Sequence, residues 1–400
     1  MRSGPGVGSE VRGTVVADAG EDALLLRLVV VSLEAWDQVW RRNQYLLDGL
    51  LSADDTIEIL FVEPPADPLH ALTRRSRPQS GLGLRAAEGY GGRLWLYQPT
   101  KLLPRVVGPM ADALIRSGIR RCLGRLGWDV GVLWINDPAA WRLAGILRWP
   151  TLYDITDDWV QAHRTPREHE RLRTADAELL ASCDEVVVCS AGLKATKGSV
   201  RAVRLIPNAV DIDRYRLPTT RPLDLPGAPV ALYVGTLHED RLDVGLVVHT
   251  ATEVGDKGGV VVLVGPNALS AENSALLTEH PSIVVLGPRE RDAVPAYLQN
   301  AHALIVPHVV DDFTESLDPI KLYEYLAVGR PIVSTPVAGF REHPGSTVVG
   351  RDEFPAVVAA ALAEWAPFVE HVDVPDWSDR VGAIRNVVTS LAAKGTLPAG

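Results

Sequence analysis

Apolar and polar positions along this chain follow two tempos. Short, continuous apolar runs recur, each closed by polar or turn-forming residues, and between them lie longer mixed stretches with the three-to-four spacing of helices. The first run is 24–33 (LLLRLVVVSL), followed by a loop over 34–40 and a helix over about 37–51. Further strands fit 57–62, 93–97, 130–135, 151–155 and 185–190, with helices near 109–126, 139–147 and 167–182. A second series of apolar runs occupies 230–234, 259–264, 283–286, 303–307 and 331–335, and a helix is expected from 377 to about 391. Apolar strands alternating with helices predict parallel sheets covered on both faces, the doubly wound α/β class.

The two series are separated by 212–229, rich in proline and arginine, which reads as a linker. The expected organisation is a disordered tail over 1–22, one Rossmann-like domain over 23–211, the linker, a second over 230–375, and a C-terminal helix and tail over 376–400. A length of 400 residues with 46% hydrophobic positions suits two cores better than one. No internal repeat is visible.

The chemistry concentrates in 311–336, DDFTESLDPIKLYEYLAVGRPIVSTP. An apolar run precedes it, a second one ends it, and a short helix lies between. Asp318-Pro319 suits the start of that helix, and Gly329-Arg330-Pro331 suits its end. Strand, polar loop, helix and strand make a βαβ unit whose loop sits at the carboxyl edge of the sheet, where open α/β sheets bind ligands. Lys321 and Glu324 are three apart and share one helix face. A cation and a carboxylate offered together match a nucleotide diphosphate, since phosphate oxygens take the cation and a ribose diol donates to the carboxylate. The same spacing also serves an ordinary surface ion pair.

The run Pro319-x-Lys321-x-x-Glu324-Tyr325-Leu326-Ala327-x-Gly329-x-Pro331-Ile332-Val333 resembles the donor-binding motif of GT-B glycosyltransferases of the family 4 type, above all polysaccharide-assembly members. The resemblance implies a GT-B fold: two Rossmann-like domains facing across a cleft, with a C-terminal helix crossing back to the first. It implies that Glu324 holds the nucleotide ribose and that Lys321 lies near the diphosphate. Many members carry a further glutamate eight residues before the ribose one; here Ser316 stands at that position and Glu315 one step away. Ile206 to Asp211 (IPNAVD) resembles the segment that ends the first GT-B domain, with Ala209 in place of a glycine. Gly235, Thr236 and Arg241 follow the strand at 230–234 as a glycine and a basic residue do in the family, and Arg289 is a second basic residue available to the same role. Trp36, Arg41, Arg42 and Gln44 lie in a segment resembling one found near the acceptor cleft, although tryptophan anchors with solvated arginines would leave the same pattern.

Composition narrows the alternatives. A formal charge of −10 argues against nucleic-acid binding, and the sequence has neither a Gly-x-Gly-x-x-Gly run nor a Gly-Lys-Ser/Thr loop. Cys122, Cys183 and Cys189 are odd in number and lack metal-ligand spacing, which fits a reducing, cytoplasmic setting. The run at 24–33 is too short to span a bilayer and contains Arg27. Between His70 and Leu126, however, eleven basic residues face only Glu88 and Asp112, and Arg116, Arg120, Arg121 and Arg125 fall in one predicted helix. Such a concentration suits peripheral contact with an anionic membrane and a lipid-linked acceptor, or simply a solvated basic face.

Tyr153-Asp154-Ile155-Thr156-Asp157-Asp158-Trp159 carries a strand out into acidic residues and supports three readings. It is a metal site, the acceptor side of a cleft in which Asp157 or Asp158 contacts an acceptor hydroxyl, or a helix N-cap with solvated acids. Ser190 lacks a nucleophile elbow, and His238, close behind Gly235, stays outside the expected core set.

The expectation is therefore a hexosyl-type glycosyltransferase moving a sugar from a nucleotide diphosphate sugar (UDP, GDP or dTDP) to a hydroxyl acceptor, with no permanently bound cofactor or metal. A retaining outcome follows from the resemblance. Lys321 and Arg241 neutralise the departing diphosphate, Glu324, Gly235, Thr236, Asp318, Glu315 and Ser316 surround the nucleotide sugar, and Asp157 and Asp158 face the acceptor. A nucleotide-sugar epimerase or hydrolase of the same fold, and a non-catalytic sugar-nucleotide-binding protein, remain as alternatives.

Overall fold

The computed structural model describes residues 25–68, 80–101, 109–162, 164–371 and 373–395. The expected tail over 1–22, and Arg74, Arg75, Arg77 and Arg105 of the basic stretch, lie outside the described residues.

Two sheets organise the chain. The first contains β1 (Leu26–Val31), β2 (Ile57–Val62), β3 (Gly83–Ala86), β4 (Leu94–Gln98), β5 (Val132–Ile135), β6 (Thr151–Ile155), β7 (Glu185–Val188) and β8 (Arg204–Leu205), in the order β3-β4-β2-β1-β5-β6-β7-β8. All neighbours pair parallel except β3, which runs antiparallel to β4. The second contains β9 (Val230–Val234), β10 (Val260–Val264), β11 (Ile283–Gly287), β12 (Ala303–Val306), β13 (Ile332–Ser334) and β14 (Thr347–Val348), in the order β11-β10-β9-β12-β13-β14, parallel throughout.

Each strand feeds two cores because successive side chains point to opposite faces. Leu28 and Val30 pack with helix Arg42–Ala53, whereas Val29 and Val31 pack with helices Pro109–Leu126 and Pro166–Ser182. In the second sheet, Val230 and Leu232 pack with helix Ile320–Val328, and Ala231 and Tyr233 with helices Val244–Gly255 and Phe354–Ala361. Burial on both faces explains why these strands read as unbroken apolar runs.

Helix Trp377–Gly395 returns to the first sheet. Trp377, Val381, Ile384, Val387, Val388 and Leu391 join the core of Leu28 and Trp134, and the Trp377 ring stacks on Tyr45 at 4.8 Å. Each such side chain contributes about 1.5–3 kcal/mol on burial, which fastens the chain end to the half it left. Among the described residues, no helix is long and apolar enough to cross a membrane.

The strand order fixes where a ligand can sit. Neighbours change direction of travel on either side of β1 in the first sheet and β9 in the second, and loops leaving the carboxyl ends diverge at such points. The loops after β1, β6, β9 and β12 accordingly line one cleft between the sheets.

Candidate active site

The cleft encloses about 540 Å³. On its second-sheet side the chain turns at Gly235, with φ +146°, a conformation that side-chain-bearing residues rarely adopt. A Cβ there would lie 2.8 Å from Lys321 Nζ and 3.3 Å from Tyr233 Oη, so the glycine also clears space for the ammonium. Lys321 projects from the first turn of helix Ile320–Val328, which ends at Gly329 in the left-handed region. Its Nζ stands 3.3 Å from His308 Nε2 and 3.9 Å from the centre of the Tyr233 ring. No ion-pair partner for Lys321 exists among the described residues. Burial, aided by the neighbouring Arg241 charge, pushes its ammonium down to about 7. His308 is buried, and desolvation followed by the charges of Lys321 and Arg241 holds it well below the ordinary imidazole value. The neutral imidazole's Nε2 can accept a hydrogen bond from Lys321 or from the Tyr233 hydroxyl, which lies 3.2 Å from the same nitrogen.

One turn on, Glu324 accepts a 2.5 Å hydrogen bond from the Tyr215 hydroxyl, and burial raises its carboxyl above the usual range. Tyr215 comes from helix Ile212–Arg216, inside the stretch read as a linker, and is fully enclosed in the second core. Asp318 accepts from the Tyr323 hydroxyl at 2.6 Å and from the Asn208 amide at 2.5 Å, which ties the helix start to the end of the first half. Burial raises its carboxyl as well.

Arg241 reaches across the cleft and donates to Asp157 Oδ1 at 2.8 Å, with its guanidinium over the Phe313 ring. Gly235, Thr236, Arg241, Asp318, Lys321, Glu324 and Asp157 thus line one cavity. Three expected residues face elsewhere. Asp158 is buried against Lys197 Nζ at 3.1 Å, and its amide donates to Ser316 Oγ. Ser316 is itself buried, donating to the Phe313 carbonyl and accepting from Ser190 Oγ on its own carbonyl. Glu315 points outward and pairs with Arg341 at 2.5 Å. The 311–318 loop is therefore a fastening between the halves; Asp318 at its end lines the cleft, whereas Glu315 lies outside it.

The segment after β1 divides in the same way. Arg42 is buried, donating to both carboxylate oxygens of Asp154 at 3.2 Å and to Asn208 Oδ1 at 3.2 Å. Gln44 is buried and donates to the carbonyls of Ala35 and Val39. Both hold the loop in shape. Arg41 lines the cleft, 3.3 Å from Glu34 Oε1 and 3.3 Å from Asp37 Oδ1. Of the remaining sequence candidates, Arg289 pairs with Asp224 at the cleft edge, and His238 lines the cleft with Nδ1 3.6 Å from Asp240 Oδ2.

Comparison with known proteins bears on this geometry. Residues 228–366 match the family described as Glycosyl transferases group 1. The chain is 23% identical over 337 residues to TuaH of Bacillus subtilis (strain 168), a glycosyltransferase provisionally assigned to teichuronic acid biosynthesis, covering 77% of this chain and 80% of that one. Sucrose-phosphate synthase from Thermosynechococcus elongatus superposes with a TM-score of 0.62 at 16% identity, covering 92% of this chain and 97% of that one. The chain is a GT-B glycosyltransferase. A trehalose-6-phosphate structure from E. coli bound with UDP-2-fluoro glucose shares the fold at TM-score 0.57 and 13% identity, covering 91% of this chain and 96% of that one.

Within this transferase, three cleft residues escaped sequence reasoning. His308 directly follows the apolar run of β12, a position whose side chain emerges at the sheet's carboxyl edge, so the strand assignment alone was enough to nominate it. Glu34 stands in the same relation to β1, three residues beyond its end. Tyr215 left no signal, because its role depends on a helix formed inside a proline-rich stretch.

Proposed function

We propose that this glycosyltransferase moves a sugar from a nucleotide diphosphate sugar to a hydroxyl acceptor. The observation that carries the reading is the Lys321 ammonium. It lies partly desolvated at the cleft wall with Arg241 nearby and no counter-ion of its own among the described residues. A cation in that setting is stabilised by an anion that enters the cleft, and a diphosphate provides one. Charge grows on that diphosphate as the glycosidic bond breaks, so Lys321 and Arg241 act most strongly in the transition state. Glu324 holds the ribose hydroxyls while Tyr215 orients its carboxylate, and Gly235 and Thr236 bring the backbone close to the phosphates.

In this reading residues 230–375 hold the donor, 23–211 hold the acceptor, and 212–229 join them. The outcome is retaining, after the family 4 type. The TuaH likeness and the UDP-sugar in the E. coli relative support polysaccharide assembly and a nucleoside diphosphate donor. Three buried free thiols fit the cytoplasm, and exposed arginines on helix Pro109–Leu126 fit contact with an anionic inner membrane face carrying a lipid-linked acceptor. A second reading, nucleotide binding without turnover, draws on one observation: neither Ser316 nor Glu315 presents a carboxylate to the cleft.

A thermal-shift series with UDP, GDP and dTDP tests the donor. At 100 times its dissociation constant the right nucleotide stabilises the protein by about 2.7 kcal/mol. No shift with any of the three refutes the reading. Sugar transfer to an added acceptor, against free or epimerised sugar formed without one, separates transferase from hydrolase, epimerase and binding protein.

A further inference from the structure

The transferase reading leaves the first-sheet wall of the cleft without an assigned ligand contact beyond Asp157. That wall also carries the carboxylates of Asp37 and Glu34. Glu34 sits in the loop between β1 and helix Arg42–Ala53, and the loop is fixed from several sides. The Glu34 amide donates to Ser32 Oγ at 3.0 Å, the Trp36 amide to Glu63 Oε1 at 3.1 Å, and Trp36 packs edge-on against Phe61 at 5.2 Å. The backbone that presents Glu34 is therefore held in place before any ligand arrives.

The side chain itself is less well provided for. Its carboxylate lines the cleft and retains 37% of its surface, with Arg41 Nε 3.3 Å away, yet it accepts no hydrogen bond among the described residues. Asp157, across from it, is already engaged by Arg241 at 2.8 Å. Asp37, the third cleft carboxylate on this wall, accepts from the Val39 amide at 2.9 Å and from Arg41 Nη1 at 3.3 Å, so Glu34 is the one of the three with no hydrogen bond among the described residues. A partly exposed carboxylate that faces the cavity from a fixed loop, with acceptor sites not taken by protein donors, is placed to receive hydrogen bonds from a ligand's hydroxyls.

We propose that Glu34 is an acceptor-binding residue of this transferase, its carboxylate taking hydrogen bonds from hydroxyls of a sugar-bearing acceptor that enters between the β1 loop and Asp157. The inference rests on the transferase reading above. Sugar hydroxyls are the fitting class: a carboxylate accepts from vicinal hydroxyls in pairs, and Arg41 keeps its charge from going uncompensated when water is expelled.

The charged groups around Glu34 give the contact a pH signature. Burial is the main influence, Asp157 and Asp37 add to it, and Arg41 and Arg241 oppose it; together they push the carboxyl up to about 7. The ionised form is the better hydroxyl acceptor, so acceptor affinity strengthens as pH rises through 7.

The test uses the full chain loaded with whichever of UDP, GDP or dTDP binds it most tightly, titrated calorimetrically with n-octyl glucoside, galactoside and mannoside as acceptor probes. Glu34→Ala is expected to weaken the best glycoside at least tenfold while nucleotide affinity and melting temperature stay within twofold and a few degrees of wild type. Glu34→Gln, which keeps one accepting oxygen, is expected to retain most of the affinity and to lose its rise between pH 6 and 8. Equal glycoside binding by Glu34→Ala, a pH rise that survives in Glu34→Gln, or no glycoside binding by the loaded wild type overturns the proposal. A parallel loss of nucleotide affinity in Glu34→Ala assigns the residue a structural role and also overturns it. Failure of all three nucleotides to bind wild type removes the transferase reading instead, and the acceptor assignment with it.

Discussion

Nucleotide binding should carry the titration of Lys321, and its size follows from the geometry of the cleft. An unperturbed lysine titrates near 10.4, whereas burial beside Arg241 pushes Lys321 down to about 7. The difference corresponds to roughly 5 kcal/mol disfavouring the charged form in the empty cleft, an order-of-magnitude figure. The sign is definite. Below pH 7 both folded and unfolded chains carry the proton and the penalty is fully present. From pH 7 to the unfolded value the folded chain has released it, so the empty protein gains stability as pH rises through that window. A diphosphate reverses the preference by pairing with the ammonium. Binding at pH 8 should therefore take up close to one proton, since at one unit above its value about 90% of the amine starts neutral. Affinity should weaken about fivefold from pH 7 to 8 and about ninefold from pH 8 to 9. Calorimetry in HEPES and Tris buffers, whose ionisation enthalpies differ, reads the proton directly from the difference in apparent enthalpy. Glu34, also near 7, changes charge over the same window, so the Glu34→Gln background, which has no such titration, assigns the proton uptake to the lysine. In that background Lys321→Met should bind nucleotide about 10- to 100-fold more weakly at pH 7, the worth of a charged hydrogen bond, and show no slope. A flat affinity from pH 7 to 9 with no proton uptake in the Glu34→Gln protein, or an unchanged slope in Lys321→Met, refutes the reasoning.

Glu324→Ala should reduce nucleotide affinity on the order of 10- to 100-fold with the fold intact, although Tyr215 loses its acceptor; unchanged affinity in a folded variant removes the ribose role. EDTA should leave turnover largely intact, because Lys321 and Arg241 stand where diphosphate charge grows while Asp157 and Asp158 are engaged by Arg241 and Lys197; complete loss restored by manganese or magnesium would return those acids to a metal site. Sedimentation with anionic vesicles should fall with added salt and with Arg116, Arg120 and Arg121 changed to glutamate, at about 1 kcal/mol per basic residue, and equal absence from anionic and neutral vesicles at low salt would end the membrane reading. Arg120 and Arg121 are exposed and Arg116 is half-buried on a helix that also exposes Met110 and Leu114, whereas Arg85 and Lys101 are tied to Glu63 and Asp67.

The fold was legible where burial on both faces forced continuous apolar runs. β2, β6 and β9 fall where the pattern placed them, and β1, β10 and β12 lie within a residue or two. The elements that escaped are those whose existence depends on a neighbour. β3 is four residues long and has no apolar run of its own, existing as an antiparallel partner of β4, and β8 and β14 are two-residue edges. The helix expected from 37 begins at Arg42, because residues 33–41 are held as a loop by side-chain contacts that the periodicity does not register.

The site was legible in proportion to how much of each role a residue performs through its own local frame. Lys321 and Glu324 share a helix face, and Gly235 follows a strand, so spacing along the chain already placed them together. Asp157 and Asp158 differ only in which way one peptide turns at the end of β6. That turn is decided by Lys197 and Ser316, 39 and 158 residues away, which take Asp158 inward and leave Asp157 to Arg241. A local pattern cannot choose between adjacent carboxylates when the choice is made by partners in two other elements. The same logic relocates the Ser316 position. Its hydroxyl and carbonyl bind Phe313, Asp158 and Ser190, so it joins the halves of the chain at the point where many relatives carry a glutamate. If the first wall contributes the missing carboxylate through Glu34, the cleft has kept its count of acids while moving one from the donor side to the acceptor side. Donor-sugar recognition then falls to backbone groups near Gly235 and to Arg241, and the specificity of this transferase is written more in the β1 loop than in the motif by which its fold is recognised.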